Sequence, residues 1–235
     1  WHLERYKRIL DLGCGVGHWS KTLFPYLSKD AIMTGIDINN ELLESAKDSF
    51  SGTSYKKRFI VTKADAYTLP FDNNSCDMVT AQTLFIHLND VDAVLKEIYR
   101  VLKPGGLIAL AEPNNLAQNL FFNSISKSDK IESIMNLVRD RLKTEREKFF
   151  SGYGNDSIGY LLPEHLFKAD FKEIKAFASD KVNIICPPYK RRYQKDVIAQ
   201  LKSWHKNDDR LISAINKEIY YDSMPTLFIL VSGIK

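Results

Sequence analysis

The segment Ile9-Leu10-Asp11-Leu12-Gly13-Cys14-Gly15-Val16-Gly17-His18-Trp19 constrains the fold more than any other part of the chain. A short apolar run with an acidic residue inside it breaks into glycines at alternate positions, then opens onto a helix-like stretch. That is the pattern of a strand feeding a turn into a helix. Residues without Cβ take positive φ and let a ligand lie against the main chain. The spacing also discriminates. In the dinucleotide fingerprint Gly-x-Gly-x-x-Gly/Ala the sixth position falls on His18, and the phosphate loop Gly-x-x-x-x-Gly-Lys-Ser/Thr is absent. The turn therefore suits a nucleotide-like ligand with an amino-acid tail rather than a pyrophosphate. A tight turn that binds nothing is the plain alternative.

Beyond this turn, strand-like and helix-like segments alternate. Strands are expected at 8–13, 32–37, 58–63, 76–81 and 107–112, with helices at 41–50 and 90–102. This order predicts an α/β fold, a parallel sheet with helices on both faces. Lys103-Pro104-Gly105-Gly106 reads as a helix stop. Further on, a short helix at 163–169 and a strand at 173–178 are expected, and the apolar run 226–234 reads as a buried strand. Residues 1–235 are read as a single domain, long enough for a sizeable core.

Four motifs in this order, over roughly residues 8–113, resemble those of the class I S-adenosylmethionine-dependent methyltransferases of small-molecule type. The first is the glycine turn. The second, Met33-Thr34-Gly35-Ile36-Asp37-Ile38, is an apolar strand ending in an acidic residue. An acidic side chain there, about 20 residues past the loop, suits a ribose diol. The third runs from Phe59 through Ala64-Asp65-Ala66 to Leu69-Pro70, and the fourth from Cys76-Asp77-Met78-Val79 through Gln82 to His87. Cys76 stands where the family has an aromatic residue. The resemblance implies a Rossmann-like three-layer α/β/α sandwich with a seven-stranded, mostly parallel sheet whose last strand is antiparallel. It implies S-adenosyl-L-methionine as cofactor and S-adenosyl-L-homocysteine as product. It further implies that Asp11, Gly13, Gly15 and Gly17 lie under the methionine half, Asp37 holds the ribose, and Ile38 lies against the adenine. Asp65 and Ala66 would meet the adenine amino group and ring, and Gln82 the methionine amino group. Capping of the following helix is the alternative for Asp37, shared with Asn39 or Asn40. An Asx turn is the alternative for Asp65.

Two segments, 114–160 and 190–221, exceed the minimal fold and are read as helical insertions that cover the acceptor pocket, with Gly152 and Gly154 as hinges. Helical padding at the sheet edge is the alternative. His87 is the candidate general base, because its ordinary pKa lies near neutrality; the apolar run around it also suits a structural histidine. Glu112 either faces the same pocket or caps a nearby element. Phe85, Tyr153, Tyr160 and Tyr189 are candidate acceptor-lining aromatics, set against the usual placement of aromatics in the core.

The remaining numbers bound the partners. A net charge of +4 from mixed signs lacks the basic stripe of a nucleic-acid binder, and the basic run at 189–195 reads as the solvated start of a helix. No apolar run approaches spanning length, so no membrane partner is expected. Three scattered cysteines form no metal cluster and no disulfide framework, which suits a reducing, cytoplasmic setting. The expected activity is in-line methyl transfer to a small-molecule acceptor without a metal. An RNA- or protein-directed methyltransferase and a catalytically silent S-adenosylmethionine-binding protein are the competing readings.

Overall fold

Seven strands form one sheet: β1 (Arg8–Leu12), β2 (Ile32–Asp37), β3 (Phe59–Lys63), β4 (Cys76–Gln82), β5 (Leu102–Pro113), β6 (Lys172–Ala178) and β7 (Phe228–Ile234). Their order across the sheet is β3-β2-β1-β4-β5-β7-β6. The computed structural model describes residues 1–114, 139, 142–143, 145–152, 154–155, 157–178 and 228–235. Strands β1 to β5 pair in parallel, and β7 runs antiparallel to both β5 and β6. The expected antiparallel last strand is therefore present.

Period-2 alternation along the strands sends neighbouring side chains to opposite faces. Leu10, Leu12, Val79, Ala81, Ile108 and Leu110 belong to one apolar cluster. Ile9, Met33, Met78, Leu107 and Ala109 belong to the other. Strands buried on both faces need helices on both. On the first face lie α3 (Val91–Val101) and α4 (Ile158–Lys168), which bury Val94, Leu95, Ile98, Leu162 and Leu166. On the second lie α1 (His18–Leu23) and α2 (Asn40–Ser51), with Leu23, Ala46 and Phe50 inside. The stripe Val91, Val94, Leu95, Ile98 and Val101 has the i, i+3, i+4, i+7 spacing of a helix laid on a sheet. Each such side chain contributes about 1.5–3 kcal/mol when fully buried.

Two elements depart from the sequence reading. Helix α3 ends at Val101, as the Lys103-Pro104-Gly105-Gly106 stop signal requires, but β5, expected at 107–112, starts already at Leu102 and takes that stretch inside it. Cys76 pairs with Leu102 and Met78 with Leu107, so the extra residues bulge out of the ladder between two paired positions. Gly105, at φ 78°, supplies the left-handed residue that this bulge requires. Helix α4 begins five residues before the expected Pro163 and carries that proline inside it. Buried Ile158, Leu162 and Leu166 outweigh the one backbone hydrogen bond that proline removes.

Candidate functional site

The sheet order reverses between β1 and β4. From β1 the chain builds outward to β2 and β3, then crosses to the far side for β4. In open α/β sheets the crevice outside the carboxyl ends at such a reversal is where ligands bind. The register lines those ends up: Leu12 pairs with both Ile36 and Ala81, and Asp37 with Lys63. The loops after β1, β2, β3 and β4, which carry the glycines, Asp37, Asp65 and Gln82, therefore open at one edge.

The glycines of the first loop divide by what surrounds them. A Cβ on Gly13 would lie 2.8 Å from the Leu84 side chain, and one on Gly17 would lie 2.8 Å from the Phe50 ring. Both have positive φ, 62° and 78°, so backbone conformation and packing together favour glycine at each without any ligand. Gly15 also has positive φ, 51°, yet a Cβ there would meet nothing within 4 Å. Bare main chain faces open space at Gly15, as close approach of a ligand requires. The loop is held to the end of β2 by Cys14 N–H donating to the Ile36 carbonyl at 2.9 Å and by Gly15 N–H donating to Asp37 Oδ2 at 3.0 Å.

Asn39, rather than Asp37, caps α2: its side chain accepts from Glu41 N–H and Leu42 N–H. Asp37 instead ties the glycine loop to the chain after β2, its Oδ1 accepting from Asn39 N–H at 2.9 Å. The capping alternative for Asp37 thus fails. Ile38 beside it is 65% exposed. For Asp65 the Asx turn is present: Oδ1 accepts from Tyr67 N–H at 3.0 Å, while the residue remains exposed. Ala66 is half-buried in the same turn, and Gln82 is half-buried at the end of β4.

Asp11 is buried under the loop. Its Oδ2 accepts from the Ser20 hydroxyl of α1. Its Oδ1 is a buried polar atom without a hydrogen-bond partner among the described residues. Burial raises the Asp11 carboxyl to about 7, against the hydrogen bonds from Ser20 and with a smaller upward push from Asp37. An N–H or ammonium donor is what this oxygen lacks.

The segment after β4 carries features the sequence concealed. Thr83 has φ 55°, an outlying conformation for a β-branched residue, and its N–H donates to the Ala111 carbonyl at 3.0 Å. Nothing in a threonine announces this; residue type argues against it. Leu84, whose side chain sits against Gly13, was equally unmarked. A 3-10 turn follows at Phe85–His87. Its leading N–H groups converge on the buried Glu112: Leu84 and Phe85 donate to Oε1 at 2.9 and 3.0 Å, Ile86 to Oε2 at 3.3 Å. Glu112 is therefore a cap. Burial lifts its carboxyl to about 7, although all three N–H groups pull the other way.

His87 ends this turn and is exposed. Phe85, by contrast, is fully buried in the core cluster, so the expectation that it lines an acceptor site gives way to the core alternative. Tyr160 is exposed on α4. Tyr153, Tyr189 and the insertion at 190–221 lie outside the described residues. Gly154 does not read as a hinge. At φ 94°, a Cβ there would fall 2.0 Å from the Ile86 carbonyl oxygen, and Asn155 N–H donates to that same oxygen at 3.2 Å. Residues 154–155 are docked on the turn that carries His87.

Residues 10–110 match the family model described as a methyltransferase domain. Demethylmenaquinone methyltransferase of Lactobacillus johnsonii is 36% identical over 120 residues, which are 48% of this chain and 49% of that protein. The chain thus spans about half the length of the curated relatives it matches. A SAM-dependent methyltransferase structure from Methanosarcina mazei superposes with a TM-score of 0.61 at 19% identity, covering 100% of this chain and 94% of that one. Phosphoethanolamine N-methyltransferase 2 of Haemonchus contortus, solved in complex with S-adenosyl-L-methionine, superposes with a TM-score of 0.54 at 19% identity, covering 97% and 48%. At these identities the two structures speak to the fold.

Proposed function

We propose that this chain is a class I S-adenosylmethionine-dependent methyltransferase and transfers a methyl group to a small-molecule acceptor. The observation that carries the reading is the bare main chain at Gly15, open on its ligand side and tied by its own N–H to Asp37. The residues present fit the cofactor: Gly15 leaves the space that a Cβ would fill, and the orphaned Asp11 oxygen calls for a donor such as an α-ammonium. When bound, S-adenosylmethionine supplies a methyl group already activated on a sulfonium centre.

The chain's own residues hold and orient. Gly13, Gly15 and Gly17 present main chain to the methionine half. Asp37 accepts from the ribose hydroxyls with the lone pairs left after its two backbone bonds, and exposed Ile38 lies against the adenine. Asp65 and Ala66 meet the adenine edge, and Gln82 meets the amino-acid end. Orientation of donor and acceptor in such a site is worth up to about 7–11 kcal/mol of the barrier. His87 takes the proton from an acceptor that must lose one, as an O–H or C–H does. Tyr160 and Tyr153 line the acceptor side, with Tyr189 and the insertions at 114–160 and 190–221 as its cover. The name of the Lactobacillus johnsonii relative supports an acceptor of small-molecule class. Buried, free Cys14 and Cys76 suit a reducing, cytoplasmic setting.

Isothermal titration tests the reading directly. Both S-adenosylmethionine and S-adenosylhomocysteine are expected to bind, and failure of both would sink it. Asp37→Ala should weaken both by about tenfold to a hundredfold, the range for hydrogen bonds to a charged group; unchanged affinity removes the ribose assignment.

Asp11 adds a pH signature. With its carboxyl at about 7 it is largely neutral below that pH in the free protein. An ammonium donor favours the ionised form, so binding should tighten as pH rises through about 7 and release a proton below it. Titrations at pH 6 in two buffers of different ionisation enthalpy measure that proton, and Asp11→Asn should abolish it.

A further inference from the structure

One exposed helix face remains unaccounted for. Residues 139, 142, 143 and 145–150 are helical. At 3.6 residues per turn, positions 139, 142, 143, 146, 149 and 150 share a face roughly 120° wide. That face carries Arg139, Lys143 and Arg146 with Leu142, Phe149 and Phe150, and no acidic residue. Leu142, Phe149 and Phe150 are 44%, 56% and 74% exposed. Glu145 and Glu147 fall outside it, Glu147 lying 4.0 Å from Lys143 at the flank.

We propose that this basic, aromatic face docks the protein on an anionic lipid bilayer. Cations beside phenylalanines on one face match the boundary where headgroup phosphates meet acyl chains. The absence of a spanning segment excluded only a transmembrane mode; a helix lying in the interface needs no such length. Two other occupants suit the face poorly. The Phe149 and Phe150 rings stand edge to face with centroids 5.6 Å apart, and the Arg146 guanidinium lies 5.6 Å over the Phe150 ring. They therefore offer no open platform for stacked bases. A second copy meeting through the same face would bring its three cations against three like ones.

The position suits collection of a lipophilic acceptor, a clause that rests on the methyl-transfer reading. Phe150 is followed closely by Gly152, whose Cβ direction ends 3.9 Å from the Asn89 side chain, and by Asn155, bonded to Ile86 O. The chain that carries the face is therefore tethered, within five residues of Phe150, to the turn that presents His87.

Co-sedimentation with vesicles tests the docking and needs no turnover. The full chain is expected to pellet at low salt with phosphatidylcholine–phosphatidylglycerol vesicles and far less with phosphatidylcholine alone. Phe149→Ser with Phe150→Ser should lower partitioning at least about tenfold. Lys143→Glu with Arg146→Glu should do the same, roughly fivefold or more per cation. Both pairs should titrate S-adenosylmethionine like the parent, which separates lost docking from a lost fold. No binding to the anionic vesicles, or binding that neither pair changes, overturns the proposal. So does a dimer in sedimentation velocity, or binding to oligouridylate, that the variants remove while vesicle binding is absent.

Discussion

Gly15→Leu is expected to weaken S-adenosylmethionine binding by a hundredfold or more while lowering the melting temperature by only a few degrees. The backbone at 15 is left-handed, φ 51°, so any L side chain there costs about 1–2 kcal/mol. For a domain of this size that shifts Tm by roughly 2–8 °C. The new Cβ itself adds no clash, because no atom lies within 4 Å of it. The volume filled is the ligand's, and forcing atoms into a filled site costs about 1–3 kcal/mol or more. Gly17→Leu makes the contrast. Its Cβ would fall 2.8 Å from the Phe50 ring and 3.5 Å from Phe59, so the fold itself should suffer. Calorimetric titration beside thermal melts separates the two. If Gly15→Leu binds like the parent, the ligand does not lie on this loop.

Glu112→Ala should be the most destabilising single change in the site. It orphans the buried N–H groups of Phe85 and Ile86 and the half-buried one of Leu84. Unsatisfied buried donors cost about 1–3 kcal/mol each, so Tm should fall by roughly 10 °C or more. Glu112→Gln keeps the shape and an acceptor oxygen, and its signature is a pH profile. The folded carboxyl sits at about 7, above its ordinary 4.5, so its contribution is fully present below pH 4.5 and is lost as pH rises through 7. The shift is worth on the order of 3 kcal/mol. Asp11, raised from 3.8 to about 7, acts with the same sign. Arg100 holds Glu97 below the ordinary carboxylate range, so stability is lost again in acid as Glu97 protonates. Ligand-free protein should therefore be most stable near pH 5. Glu112→Gln should flatten the decline from pH 5 to 8; a decline of unchanged slope in urea titrations would refute the assignment.

Elements whose signal is local were legible in the sequence. The sequence reading placed β2 to the residue and β1, β3, β4, β6 and β7 within two residues at each end, while β5 starts five residues before its expected Leu107; central strands such as β4 stand out because burial on both faces makes them largely apolar. The glycine loop was legible because positive φ selects a residue type. Asp37 was legible because it closes a strand at the right distance from that loop. Where two residues meet only in space, sequence was silent. Glu112 lies 26–28 residues from the N–H groups it caps, and no pattern spans that interval. Phe85 looked no different from Tyr160, which is exposed, because an aromatic side chain carries no mark in the sequence of which way it turns. Gly154 resembled a hinge until the Ile86 carbonyl was found where its Cβ would be. Thr83 defied its own residue preference, as strained positions beside sites do.

The glycine loop leans on both sides of the sheet at once. Gly13 rests on Leu84, which packs on the cluster of α3 and α4. Gly17 rests on Phe50, which belongs to the cluster of α1 and α2. The floor of the site is thus a plank laid across two independent supports. A repacking on either face, several residues from any ligand atom, tilts it by the same short route.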